Sequence, residues 1–219
     1  MIGFGRTAAG VVAWPADAGA RAALEAYLAD ADTSFGAAGA DLRGADLTGL
    51  DLGSADLLGA NLSGVRLVRA NLDRAKLVGA DLTAANLSGA ELVRAEATAA
   101  RAPAAAFRAA HLLGADLVDA TLTGADLRDA LLNSAVFAGA DLRAADLRGA
   151  SLRHCVLGTP TAPARLSGAR LDGAAFEEAV GHVEGPVTVG GTTLDGPSLE
   201  AWLTDRGARI TVVQGPRRA

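Results

Sequence analysis

Apolar positions recur every fifth residue from Ala40 to Thr159. In ADLRGADLTGLDLGSADLLGANLSG, Ala40 to Gly64, a Leu centres each pentad, with a small or apolar residue two places before it and Asp or Asn usually between them. On an α-helix five residues turn the chain by about 500°, so successive leucines land about 140° apart and circle the cylinder. On a flat strand an odd spacing sends alternate leucines to opposite faces. A chain that turns a corner of about 90° every five residues brings every Leu to one axis, because four pentads then close a square coil. Stacked coils satisfy each other's backbone groups, so the pattern predicts an all-β, right-angled β-solenoid.

The register holds over 24 uninterrupted pentads, with Leu at 20 centres, Phe107 and Phe137 at two, and Ala97 and Ala102 at the remaining two. Two places earlier Ala stands in 21 pentads, the exceptions being Leu50, Val65 and Cys155. One large and one small inward residue per side fill a narrow bore. The residue between them faces outward, and Gly often closes the pentad, where the corner needs a permissive backbone. Units such as ADLRG, ADLTG, ANLSG, ADLVD and ADLRD resemble the consensus A(D/N)LXX of the pentapeptide-repeat family. The resemblance implies a right-handed quadrilateral β-helix. At about 4.8 Å per coil, its six coils make a rod of roughly 30 Å.

Two places break the pattern. RAEATAARAPAAAFRAA puts Ala at centres 97 and 102 and Pro at 103, which predicts a thinned core and a dent in the rod, with a functional kink as the alternative. After Leu157 the next centres are Leu166, Leu171 and Phe176. The first step is nine residues, not ten, so GTPTAP (158–163) reads as a loop where one side of a coil is bypassed. An open solenoid needs covered ends, so short helical caps are expected at both. At the N-terminus, Asp17 is the N-cap of a helix reaching Asp30, with Leu24, Tyr27 and Leu28 as its apolar stripe and Phe4 and Trp14 tucked onto the same end. The expected division is an N-terminal cap over 1–39, a β-helix over 40–178 and a C-terminal cap over 179–219.

The C-terminal segment GPVTVGGTTLDGPSLEAWLTDRGARITVV reads as strand, helix, strand. Pro197 suits the first helical position, Leu199, Trp202 and Leu203 form a stripe, and Gly207 ends the helix. This ending resembles that of the gyrase-interacting, mycobacterial fluoroquinolone-resistance type of pentapeptide-repeat protein, whose helix beyond the coils makes a tail-to-tail dimer. The resemblance implies a homodimer, and Leu199, Trp202, Leu203 and Val212 are the candidate interface.

Composition narrows the chemistry. Half the residues are hydrophobic but only 4% aromatic, so the core is aliphatic. A net charge of −5 has the wrong sign for direct nucleic-acid binding. One cysteine, Cys155, leaves no internal disulfide, suits a reducing compartment and sits in an inward slot, as a buried, inert thiol. The start lacks an apolar signal region, and no stretch approaches 18 apolar residues, so a cytoplasmic protein without membrane association is expected. His111, His154 and His182 are scattered, and neither a phosphate-binding glycine motif nor metal-ligand spacing occurs. No catalytic residue, cofactor or metal is therefore expected, and an enzyme would need a pocket near 95–110.

What remains is surface. Reading every twentieth residue gives an apolar stripe, Leu58, Val78, Thr98, Val118 and Ala138, and a line that turns basic at Arg108, Arg128 and Arg148. Asp41, Asp46, Asp51, Asp56 and Asp81 mark the early coils. The family resemblance implies that such acids imitate DNA in the saddle of DNA gyrase or topoisomerase IV, inhibiting the enzyme or protecting it from drugs. The alternative is an interaction scaffold for a protein partner, without a topoisomerase role.

Overall fold

Each residue just before a centre makes a parallel bridge with the residue twenty places on: Asp41 with Asn61, Asp46 with Arg66, Asp51 with Asn71, Asp56 with Lys76, and so on to Val136 with Val156. Twenty residues are four pentads, so the chain is a four-sided β-helix. This computed structural model describes residue 7 and residues 11–30 and 34–213; Phe4 lies outside them. The four walls, A to D, begin at Leu42, Leu47, Leu52 and Leu57. All centres from Leu42 to Leu157 are buried, as are the small residues two places before them from Ala45 onward. Each side contributes one bridged residue and then turns, which is too little extended chain for formal strands in the regular coils.

The turn occupies the two residues after each centre, closed by bonds such as Ala45 N–H to the Leu42 carbonyl (3.1 Å). Its second residue has positive φ in every pentad from Gly39 to His154. Gly fits there without strain. Arg69 (φ 55°), Ala104 (55°) and Asp119 (56°) adopt the same conformation, because the coils above and below fix the corner.

At the two alanine centres the ladder runs through unbroken: Ala97 N–H bonds the Asp116 carbonyl at 2.8 Å and Ala102 N–H the Thr121 carbonyl at 2.7 Å. Neither kink nor dent appears in the path. The missing side chains leave an internal void of about 10 Å³, lined by carbon side chains including Ala97, Ala102, Phe107 and Leu117. With no polar partner on its walls, such a void is dry.

The nine-residue step is not a bypassed side. Beyond it the bridging interval becomes 24, Asp141 with Arg165 and Asp146 with Arg170, so residues have been inserted and every wall continues. The insertion folds outward through an antiparallel bridge between Gly158 and Pro163, and Leu166 follows Leu142 on wall A.

At the N-terminal end Ala18–Ala29 forms α1, with the Asp17 carboxylate accepting the Ala20 N–H at 2.8 Å. Ala20, Leu24 and Tyr27 are buried, and Leu28 is half-buried against the core. Trp14 is also half-buried, with the Arg21 guanidinium 5.3 Å from its ring centre. Three walls of the first coil find partners here. Asp46 N–H donates to the Ala13 carbonyl (2.8 Å), Asp56 N–H to the Phe35 carbonyl (2.7 Å), and the Tyr27 hydroxyl to the Asp51 carbonyl.

At the other end Ala164–Arg165 (β1), Val180–Glu184 (β3) and Arg209–Val213 (β6) form a parallel sheet in the order β1-β3-β6. Ala169–Arg170 (β2) pairs in parallel with Val187–Val189 (β4), which pairs antiparallel with Thr192–Leu194 (β5). A hairpin therefore stands where the sequence suggested one strand. Gly196–Thr204 forms α2, started by Asp195 and Ser198 in a reciprocal cap and by Pro197 in the first turn.

Candidate functional site

The repeat distributes the five singled-out acids rather than gathering them. Asp41, Asp46, Asp51 and Asp56 lie on walls A, B, C and D of one coil, and Asp81 lies on wall A two coils further on. Two of the five are paired with cations, and the other three accept hydrogen bonds from neutral groups. Asp41 takes the Arg43 guanidinium (2.6 Å) and Asp46 that of Arg66 (3.0 Å). Asp51 accepts from Asn71 (2.8 Å) and the Gly53 N–H (3.1 Å), and Asp81 from the Thr83 hydroxyl (2.5 Å). Asp56 accepts the Leu58 N–H at 3.4 Å.

The coil above opposes them. Residues 60–79 carry Arg66, Arg69, Arg74 and Lys76 against Asp73, whereas residues 40–59 carry the four acids against Arg43. An acidic ring and a basic ring are thus stacked about 4.8 Å apart, which weakens the far field of both. The basic line on wall B is neutralised too, with Arg128 on Asp126 (2.5 Å), Arg148 on Asp146 (2.6 Å) and Arg108 near Asp129 (3.6 Å). Hydrogen bonds from these arginines hold the Asp126 and Asp146 carboxyls below the usual range. The sequence signal for this is Asp-Leu-Arg, which occurs at 41–43, 126–128, 141–143 and 146–148 and makes the same two-pronged clamp each time.

Exposed aliphatic side chains interrupt this polar coat. Leu58 on wall D is 51% exposed, and Val78, Thr98, Val118 and Ala138 of the same stripe are half-buried. Wall C carries a second group: Leu113 (47% exposed), Leu131 (42%) and the half-buried Val93. The sequence reading missed it, because Leu113 and Leu131 sit on opposite sides of their centres and share no single row.

The pentapeptide-repeat family model matches residues 38–74, 66–101, 104–137 and 122–158, in eight copies. The chain belongs to the pentapeptide repeat family. No curated protein matches it. Among solved structures, it is similar to a pentapeptide repeat protein from the Arabidopsis thaliana thylakoid lumen (26% identity over 60% of this chain and 79% of that one, TM-score 0.45). It is also similar to HetL of the cyanobacterium Nostoc, involved in heterocyst differentiation regulation (29%, 87% and 90%, TM-score 0.29). A third is QnrB1, a plasmid-mediated fluoroquinolone resistance protein (21%, 74% and 82%, TM-score 0.33). At these scores none of the three tells what this chain binds.

In this pentapeptide repeat protein, two of the four candidate dimer residues have no surface to offer. Leu199 and Leu203 are completely buried within the chain. Trp202 stacks edge-on to Phe176 (5.9 Å between ring centres) under the Arg206 guanidinium, and stays half-buried. Val212 is half-buried, and its N–H on the edge strand β6 donates to the Glu200 carboxylate at 3.2 Å. Cys155 is buried in its inward slot and donates to the Leu132 carbonyl (2.9 Å); burial pushes its thiol up to about 12. His111 faces Glu91 (2.8 Å), His154 faces Glu178 (3.3 Å), and the buried Nδ1 of His182 has no hydrogen-bond partner among the described residues. The void near 95–110, where an enzyme reading needed a pocket, is lined by no titratable group. Among the described residues, no helix is long and apolar enough to cross a membrane.

Proposed function

We propose that this chain is a non-catalytic rod that binds a protein partner through exposed aliphatic side chains on its walls. The observation that carries this reading is the exposure of Leu58, Leu113 and Leu131 on a surface where many of the charges are paired within the chain. Aliphatic groups at the centre of a contact supply binding energy that self-neutralised charges do not. A photo-reactive side chain placed at Leu58, at Leu113 and at Thr123 on wall A tests it. One discrete protein adduct from Leu58 or Leu113, absent from Thr123, is the expected result. Equal labelling at all three positions, or none, ends the reading.

The second reading names the partner as a type II topoisomerase, DNA gyrase before topoisomerase IV, and the cytoplasm as the compartment. The pentads and the C-terminal segment support it by their resemblance to gyrase-interacting members of the family. A homodimer through the C-terminal segment belongs to this reading, with Trp202 and Val212 as the contacts that keep some surface. The ion pairs of Asp41 and Asp46 and the basic ring stacked on the early acids weigh against charge imitation of DNA as its mechanism. The test is gyrase supercoiling with micromolar protein: changing Asp41, Asp46, Asp51 and Asp56 to Lys removes any effect if the acids carry it. No effect from the unmodified protein ends this reading and leaves the first in place.

A further inference from the structure

The first to fourth coils of wall C surround a concavity that ends at the exposed Leu113. A surface hollow of about 640 Å³ runs from Gly53 past Asp73 and Val93 to Leu113, with Arg74 and Arg94 along one side. It exists because Gly53 puts no side chain where other pentads carry one, and because Asp73 folds back to accept the Val93 N–H at 2.8 Å. Asp51, at the far end, is turned to the wall by Asn71 and the Gly53 N–H. The arginines are different. Both are exposed, and neither guanidinium makes an ion pair or hydrogen bond with any described residue. They occupy the same corner in successive coils, about 4.8 Å apart along the axis. Each has φ 56°, in a position that Ser54 and Gly114 fill in the adjoining coils. Two stacked cations at strained corners, with no ion-pair partner among the described residues, flank the aliphatic floor of Val93 and Leu113.

We propose that this hollow docks a partner segment that carries carboxylates beside aliphatic side chains, the carboxylates meeting Arg74 and Arg94 and the aliphatic groups lying on Val93 and Leu113. This rests on the protein-binding reading and names the chemistry of the partner. From the first coil to the fourth the hollow covers three coil steps, about 14 Å, the length of about four extended residues. Guanidinium groups suit the task because they clamp carboxylates in two-pronged fashion, as Arg43, Arg128, Arg143 and Arg148 do within this chain.

The experiment uses the full chain and two labelled synthetic octapeptides, one alternating Glu and Leu, the other Lys and Leu, read by fluorescence anisotropy. The Glu–Leu peptide binds and the Lys–Leu peptide does not; binding weakens as salt rises. Arg74→Glu with Arg94→Glu weakens it by about tenfold or more, and Leu113→Asp weakens it as well. Thr123→Asp, on wall A, leaves it unchanged, and every variant keeps a cooperative melt. Equal binding of both peptides, no binding of either, or an unaffected arginine double variant overturns the proposal. If it fails while a photo-reactive group at Leu58 still yields its discrete adduct, this hollow is the wrong site and the protein-binding reading survives.

Discussion

The guanidinium of Arg66 reaches back one coil to Asp46 on wall B, Nε to Oδ2 at 3.0 Å. It joins the basic ring of one coil to the acidic ring of the coil before it. Cross-strand pairs of opposite charge contribute about 0.2–1 kcal/mol, and like charges directly opposite cost a similar amount. Asp46→Lys is therefore expected to lower stability by about 1 kcal/mol, through two facing cations and the lost bond to Thr48. Adding Arg66→Asp restores part of the loss. Urea melts of the two single variants and the double swap measure the coupling, and a coupling of zero would mean that the rings do not interact.

That pair also shows what the sequence could disclose. The five-residue period made the inward residues legible, since Leu or Phe at the centre and Ala two places earlier fill the bore in nearly every pentad. The Asp17 cap of α1 was legible because a short acid precedes an apolar stripe. Asp46 and Arg66 are one coil apart in the same register, yet their pairing went unread because the acids were counted without their neighbours twenty residues on. The step from Leu157 to Leu166 was undecidable by spacing alone: a missing side and an inserted loop give the same number, and only the ladder from Asp141 to Arg165 separates them. Leu199 and Leu203 form an apolar stripe that fits either a second copy or the chain's own last coil. Their burial within the chain is a tertiary fact that no local pattern encodes.

The bore sets the first stability test. Leu117 is 4% exposed at a wall D centre, while Leu58, one residue past another wall D centre, is 51% exposed. Leu117→Lys buries a cation without a partner and is expected to cost about 4 kcal/mol or to prevent folding. Leu58→Lys is expected to stay within about 0.5 kcal/mol of the parent. Thermal melts in the reverse order would mean that the assigned register is wrong.

The corners give a test with opposite signs at equivalent positions. Gly124 (φ 66°) and Ala104 (φ 55°) close successive wall A pentads in the same left-handed conformation. Nothing lies within 4 Å of a Cβ added to Gly124, so only backbone strain opposes one there. Gly124→Ala is expected to cost about 1 kcal/mol and Ala104→Gly to gain up to about that amount. Equal signs in denaturant melts would show that packing, and not the corner conformation, governs the position.

The void at the alanine centres predicts a stabilising change. Its volume is about 10 Å³, and Ala97 and Ala102 line it in place of leucines. Ala97→Val adds two methyl groups on a wall whose ladder is intact, and is expected to gain about 1 kcal/mol. Ala97→Leu with Ala102→Leu overfills the space that Phe107 already occupies, and is expected to lose stability by about 1–3 kcal/mol. Denaturant melts of both variants measure the difference.

Acid sensitivity should concentrate where the clamps are most buried. Asp141 is 5% exposed, accepts two bonds from Arg143 (2.8 and 2.6 Å), and has Arg165 at 3.7 Å from the next coil. Hydrogen bonds from Arg143 outweigh burial and hold its carboxyl below the usual range, and the same clamp acts on Asp126 and Asp146. A carboxyl depressed in the folded state binds its proton more readily when unfolded. Its contribution is therefore complete above the unfolded value of about 3.9 and is lost as pH falls through the lower folded value. The melting temperature should hardly respond to these groups between neutral pH and about pH 5, then fall steeply below about pH 4. Asp141→Asn keeps the shape but removes the charge, at an expected cost of about 1–2 kcal/mol at neutral pH. That gap should close as the parent is acidified. A gap that stays constant down to the acid transition would mean that Asp141 acts through its shape and hydrogen bonds, and not through its charge.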